Sequence, residues 1–152
     1  MSRAFVNEDK LVEELPDRPI SEHPNLVTEH GLALIDSALE RARREHGEAQ
    51  GSGDREQLAK AGRDLRYWSA RRASAQVVSI GAKVDAARFG NAVTILRPDG
   101  REQTLRIVGE DEADPAKGTI SYVSPLARAL LGKAVGDEVK AGKDRAEITG
   151  IA

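Results

Sequence analysis

A chain of 152 residues with 32% charged and 39% apolar residues, a net charge of −2 and no cysteine has room for one ordinary domain, or for a small domain plus an elongated element. The composition excludes disulfides and thiolate metal sites, and no apolar run approaches the ~20 residues that cross a bilayer. The near-neutral charge argues against a general nucleic-acid binder, and so against sequence-specific DNA binding. Met1–Phe5 leads directly into acidic residues rather than into a signal peptide, so the expectation is a cytoplasmic protein without membrane association.

Residues 1–27 carry three basic and six acidic side chains, with Pro16, Pro19 and Pro24 among them. Prolines at that spacing prevent a long helix, which predicts an extended or disordered tail. Nothing in the sequence forces Arg18-Pro19-Ile20-Ser21 onto the body.

Residues 28–75 read as an antiparallel coiled-coil hairpin. Thr28 is a candidate N-cap, and Leu32, Ile35, Leu39, Ala42 and His46 recur at spacings of three and four between charged flanks, the narrow seam of a coiled coil. Gly47, Gly51, Ser52 and Gly53 are expected to break that helix. A second seam follows in Leu58, Ala61, Leu65 and Trp68, with Arg72 at the frayed end and Asp54 placed to cap it. Two such stripes joined by a glycine-bearing turn fold back on each other.

From residue 76 to 152 the period changes to two. Strands are predicted at Gln76–Ile80, Ala92–Leu96, Gln103–Val108, Thr119–Val123 and Glu147–Ile151. Pro98-Asp99-Gly100 and Gly142-Lys143-Asp144 supply turn chemistry. Ser124, Pro125 and Gly132 specify both ends of a short helix. An antiparallel sheet crossed by one helix makes this half an α+β domain.

The globular half carries a specific resemblance. The segments Val108-Gly109-Glu110-Asp111-Glu112-Ala113-Asp114, Ile120-Ser121, Ser124 through Lys133 and Val135-Gly136-Asp137-Glu138-Val139 resemble, in order, the C-terminal domain of the GreA/GreB transcript cleavage factors. Phe89-Gly90 and Gln103-Thr104 before Arg106-Ile107-Val108-Gly109 fit the same pattern. The hairpin resembles the family's N-terminal coiled coil more loosely, and its short arms give some likeness to the non-cleaving relative Rnk. The resemblance implies an FKBP-like C-terminal fold, a monomer, and bacterial RNA polymerase as partner. In the family the globular domain docks at the rim of the secondary channel, which assigns Ser124 and Pro125 to docking. The coiled coil enters the pore, where two tip carboxylates help to hold a catalytic Mg²⁺ that the polymerase already grips, beside the 3′ end of the nascent RNA. Carboxylates are hard oxygen ligands suited to that ion. The factor is therefore not an enzyme by itself and needs no cofactor in isolation.

The family tip runs Gly-Asp, two further residues, then Glu-Asn-Ala. Here it reads Gly53-Asp54-Arg55-Glu56-Gln57-Leu58-Ala59. Asp54 matches the aspartate and Glu56 is the best match to the glutamate, with one intervening residue missing. A spacing of two on a helix turns side chains about 200° apart, whereas with Asp54 in the turn rather than the helix the pairing is recoverable. Asp54 is then equally an N-cap and Glu56 a first-turn acid favoured by the helix dipole. The arms fall short of the cleavage factors' by roughly two turns each, about 10 Å. Residues 55–72 hold six basic and two acidic side chains; Arg55, Lys60 and Arg63 among them are candidate contacts to RNA or the channel, or a solvated helix face. Two functions stay open, an elongation factor that stimulates cleavage and a channel occupant that does not cleave. The acidic run after Gly109 reads as a surface turn rather than a metal site. With five aromatics in the whole chain, an aromatic-lined prolyl isomerase pocket is not expected.

Overall fold

The computed structural model describes residues 15–81 and 84–152, which divide into two compact units. One is built from the described tail through Pro24 together with Ala33–Ala75; the other from Asn25–Leu32 together with Gln76–Ala152. No described helix is long and apolar enough to cross a membrane.

The first unit is a helical hairpin. Helix α1 spans Glu29–Ser52 and α2 spans Arg55–Ser74. They run antiparallel, as seen where Arg72 Nε donates to Asp36 Oδ1 at 2.6 Å and where Gly62 lies beside His46 nearer the tip. Of the predicted α1 seam Ile35, Leu39 and Ala42 are buried and Leu32 and His46 half-buried, and Ala49 joins them as a buried residue. On α2 the buried set is Ala59, Ala61 and Arg71, whereas Leu58, Leu65 and Trp68 are half-buried and Arg72 is exposed. Small seam residues let the helices approach closely but bury little apolar area.

Gly47 and Gly51 do not end α1, contrary to expectation. Each costs only about 1 kcal/mol relative to alanine inside a helix, and the helix continues through both. The reversal is at Gly53, whose φ of 71° is the left-handed conformation that glycine adopts without strain.

In the second unit, β1 (Leu26–Val27) pairs in parallel with β2 (Gln76–Val77). Two residues of the predicted tail are thus a strand, and the predicted strand at Gln76–Ile80 shortens to two residues. The main sheet comprises β3 (Ala92–Leu96), β4 (Glu102–Val108), β5 (Thr119–Ser121), β6 (Glu138–Ala141) and β7 (Asp144–Ile151), in the order β5-β4-β3-β7-β6. It is antiparallel except for β4–β5, which is parallel because the ten-residue link Gly109–Gly118 carries the chain back through a 3₁₀ turn at Pro115–Lys117. Helix α3, Pro125–Leu130, covers the sheet. Alternate strand residues Val93, Ile95, Leu105, Ile107, Val139, Ala141, Ala146 and Ile148 meet Ala127 and Leu130 of α3 in one core. Asn91 is buried and ties the end of the chain, accepting from Arg88 N at 2.8 Å and donating to Ala152 O at 3.3 Å.

The β3–β4 turn uses Gly100 at φ 85°. Asp99 accepts from the Arg101 backbone N–H at 3.0 Å and from Arg101 Nε at 2.7 Å. The backbone bond first, and then the side-chain bond, hold the Asp99 carboxyl below the ordinary 3.8. A depressed carboxyl contributes stability above its unfolded value and loses it as pH falls through the folded value. A carboxyl-detected NMR titration should place the Asp99 midpoint below 3.8, and Arg101→Ala should return it part of the way, the backbone bond persisting.

Candidate functional site

At the hairpin tip, Ser52 Oγ accepts from Asp54 N at 3.3 Å and bonds Ala49 O at 3.2 Å, tying the turn to the end of α1. Asp54 has extended backbone (φ −78°, ψ 104°) and is the N-cap of α2: one carboxylate oxygen accepts from the backbone N–H of both Glu56 and Gln57 at 3.1 Å. These donors would otherwise be unsatisfied at the helix start, and the carboxylate also meets the positive end of the helix dipole. Asp54, Arg55 and Glu56 are exposed together at the turn. Glu56 is the second residue of α2, and the position three beyond Asp54 is held by the uncharged Gln57.

Of the basic candidates, Lys60 is exposed and Arg63 half-buried farther along α2. Near the tip Glu45, Glu48, Gln57, Lys60, Ala61 and Asp64 line a shallow groove between the helices. Among the described residues, no three His, Asp or Glu side chains gather as a metal-binding group.

Ser124 and Pro125 lie in the other unit. Ser124 N donates to Ser121 O at 2.9 Å, and Ser124 Oγ accepts from Ala127 N at 3.3 Å to cap α3. Pro125 occupies the first helical position and is exposed. The buried Ala127 and Leu130 anchor this helix in the core, so the loop ahead of it sits on a fixed support.

Glu112 has a role that the reading of its run as a surface turn did not give it. Its carboxylate accepts from Thr28 Oγ at 2.5 Å, from Thr28 N at 3.1 Å and from Gly109 N at 3.3 Å. Thr28 Oγ accepts in turn from Gly31 N at 3.0 Å, capping α1. A Cβ at Gly31 would lie 2.0 Å from Glu112 Oε2, and one at Gly109 would lie 2.4 Å from the Leu26 carbonyl oxygen. The pair of glycines, one in the first turn of a helix and one before an acidic run, was the available signal. In the same run Asp114 caps the 3₁₀ turn through Ala116 N at 3.2 Å.

This combination of a helical hairpin with an α+β module is the architecture that the resemblance anticipated. The family described as "Transcription elongation factor, GreA/GreB, C-term" matches residues 73–149. The chain is similar to transcription elongation factor GreB of Neisseria meningitidis serogroup B, with 35% identity covering 86% of this chain and 95% of the relative. It is also similar to transcription elongation factor GreA of Desulfovibrio desulfuricans, with 34% identity covering 92% of this chain and 84% of the relative. A solved transcription elongation factor GreA/GreB from Nitrosomonas europaea aligns at a TM-score of 0.42 and 21% identity, over 84% of this chain and 98% of that one. The chain belongs to the GreA/GreB family of transcription elongation factors.

Proposed function

We propose that this chain binds bacterial RNA polymerase at its secondary channel and modulates elongation as an accessory factor rather than as an enzyme. The observation that carries the reading is one chain that joins a GreA/GreB C-terminal domain to a helical hairpin with an exposed, charged tip. Ser124 and Pro125 would dock the globular unit, while Arg55, Lys60 and Arg63 would meet RNA or the channel wall as cations in an acidic setting.

The Mg²⁺ that the family's tip addresses belongs to the polymerase, and the tip residues here do not fit a two-carboxylate ligand face. Asp54 already spends one oxygen on two backbone N–H groups. Asp54 has the extended backbone of the cap and not the helix, and the third position beyond it carries the uncharged Gln57 in place of a second carboxylate. Of the two modes that the resemblance leaves open, this geometry favours the occupant that does not cleave.

Labelled protein should bind core polymerase in fluorescence anisotropy. Ser124→Ala combined with Pro125→Ala should weaken binding by about 1 kcal/mol, roughly fivefold in Kd. No binding at saturating polymerase would remove the proposal. Asp54→Ala should lower the stability of the hairpin by about 1 kcal/mol through the lost cap, measured by urea denaturation, and leave the protein's effect on polymerase unchanged. A loss of that effect without a loss of stability would instead assign Asp54 a direct role.

A further inference from the structure

The described tail is extended, yet two of its residues grip α2. Arg18 Nη1 lies 3.2 Å from Asp64 Oδ1. The guanidinium carbon of the same side chain sits 3.9 Å from the centre of the Tyr67 ring and 5.6 Å from that of Trp68, and the two rings meet edge to face at 4.9 Å. One residue earlier, Asp17 Oδ1 accepts from Arg66 Nε at 2.5 Å. Asp64, Tyr67 and Trp68 stand at spacings of three and four, on one side of the helix. Pro19 biases Arg18, the residue before it, toward extended backbone before docking, which lowers the entropy lost on docking.

The hairpin needs such cover. Beyond Ile35 and Leu39 its buried apolar seam is built of Ala42, Ala49, Ala59 and Ala61, so little apolar area is covered, and a helix in a protein draws most of its stability from such packing. We propose that Asp17 and Arg18 form an intramolecular latch, which makes the tail the third element of the hairpin unit and protects α2 around Tyr67. The two links differ in kind. Asp17–Arg66 is an exposed ion pair, with side-chain exposures of 68% and 51%, and is open to salt screening. Arg18 adds a flat guanidinium laid on an aromatic face, which lysine cannot reproduce.

Amide hydrogen exchange on the full chain tests the latch. Arg18→Ala should speed exchange of the α2 amides from Arg63 to Ala70 by about tenfold, with the amides of Ile95 and Ile107 in the sheet unchanged. Arg18→Lys should fall between wild type and Arg18→Ala, because the charge remains and the stacking is lost. Tyr67→Leu should reproduce most of the Arg18→Ala effect. Protection in Arg18→Ala within about twofold of wild type would overturn the latch, as would equal acceleration of the sheet amides. An Arg18→Lys variant indistinguishable from wild type would overturn the aromatic link.

Discussion

Leu130→Ala is expected to destabilise the globular unit by about 3–4 kcal/mol, more than any other single change considered. Leu130 is fully buried, and with Ala127 it is the fully buried part of α3, beside the partly buried Leu126 and Ala129. Truncation removes its packing in the core it shares with Ile95, Ile107 and Ile148 and leaves a cavity into which the strands relax only in part. The local consequence reaches the proposed docking segment, since the Ser124 cap is useful only while the helix it starts is pinned. Urea denaturation followed through the methyl resonances of Ile95 and Ile107 would measure the loss. A loss under about 1 kcal/mol would mean that α3 is held by something other than core packing.

The second large effect is expected at Glu112. Its carboxylate is the acceptor for Thr28 Oγ, Thr28 N and Gly109 N, and Thr28 and Gly109 are themselves buried. Glu112→Ala strips partners from buried donors, at about 2–3 kcal/mol including the charge-assisted component. Glu112→Gln should lie between, because the amide keeps one acceptor oxygen but turns a second donor toward groups that also donate. The faster-exchanging amides should be those of Gly31 and Leu32 at the start of α1, where Leu32 N bonds Thr28 O at 2.9 Å. Gly109→Ala should be costly for a different reason, since the Leu26 carbonyl in its way is backbone and cannot swing aside. Unchanged exchange at Gly31 and Leu32 in Glu112→Ala would show that the cap stands without its clamp.

Much of this was legible because the sequence states it in short-range terms. The alternation in Ala92–Leu96 gave that strand its residues, and Ser124-Pro125 with Gly132 gave α3 its limits. The Asp54 cap was legible for the same reason, being a contact with the next three residues. What escaped was decided by partners far along the chain. Glu138–Ala141 is too short and too charged to read as a strand, and becomes one by pairing with Asp144–Glu147. Leu26–Val27 looked like tail until Gln76–Val77 supplied its ladder. Glu112 and Thr28 are 84 positions apart, and Arg18 and Asp64 are 46. Charge alone could not distinguish Glu112 from the acidic neighbours that flank it. Of the four residues expected to break α1, Gly47, Gly51 and Ser52 stay within it, because glycine lowers helix stability by an amount that packing on a partner helix offsets, and the positive φ that ends it falls at the fourth, Gly53. As for the tip, Asp54 lies in the turn as the cap and Glu56 in the first turn of α2, so their spacing in the sequence does not by itself set how the two carboxylates face.

The proposed function has the tip entering the polymerase channel without promoting cleavage. Backtracked elongation complexes with Mg²⁺, incubated with this protein alone and then with an added GreA-type cleavage factor, test it most directly. The claim requires no 3′ RNA fragments from the protein alone, and fragment release by the cleavage factor that slows as this protein is titrated in. Short 3′ fragments released by this protein, and lost in Asp54→Ala, would contradict it.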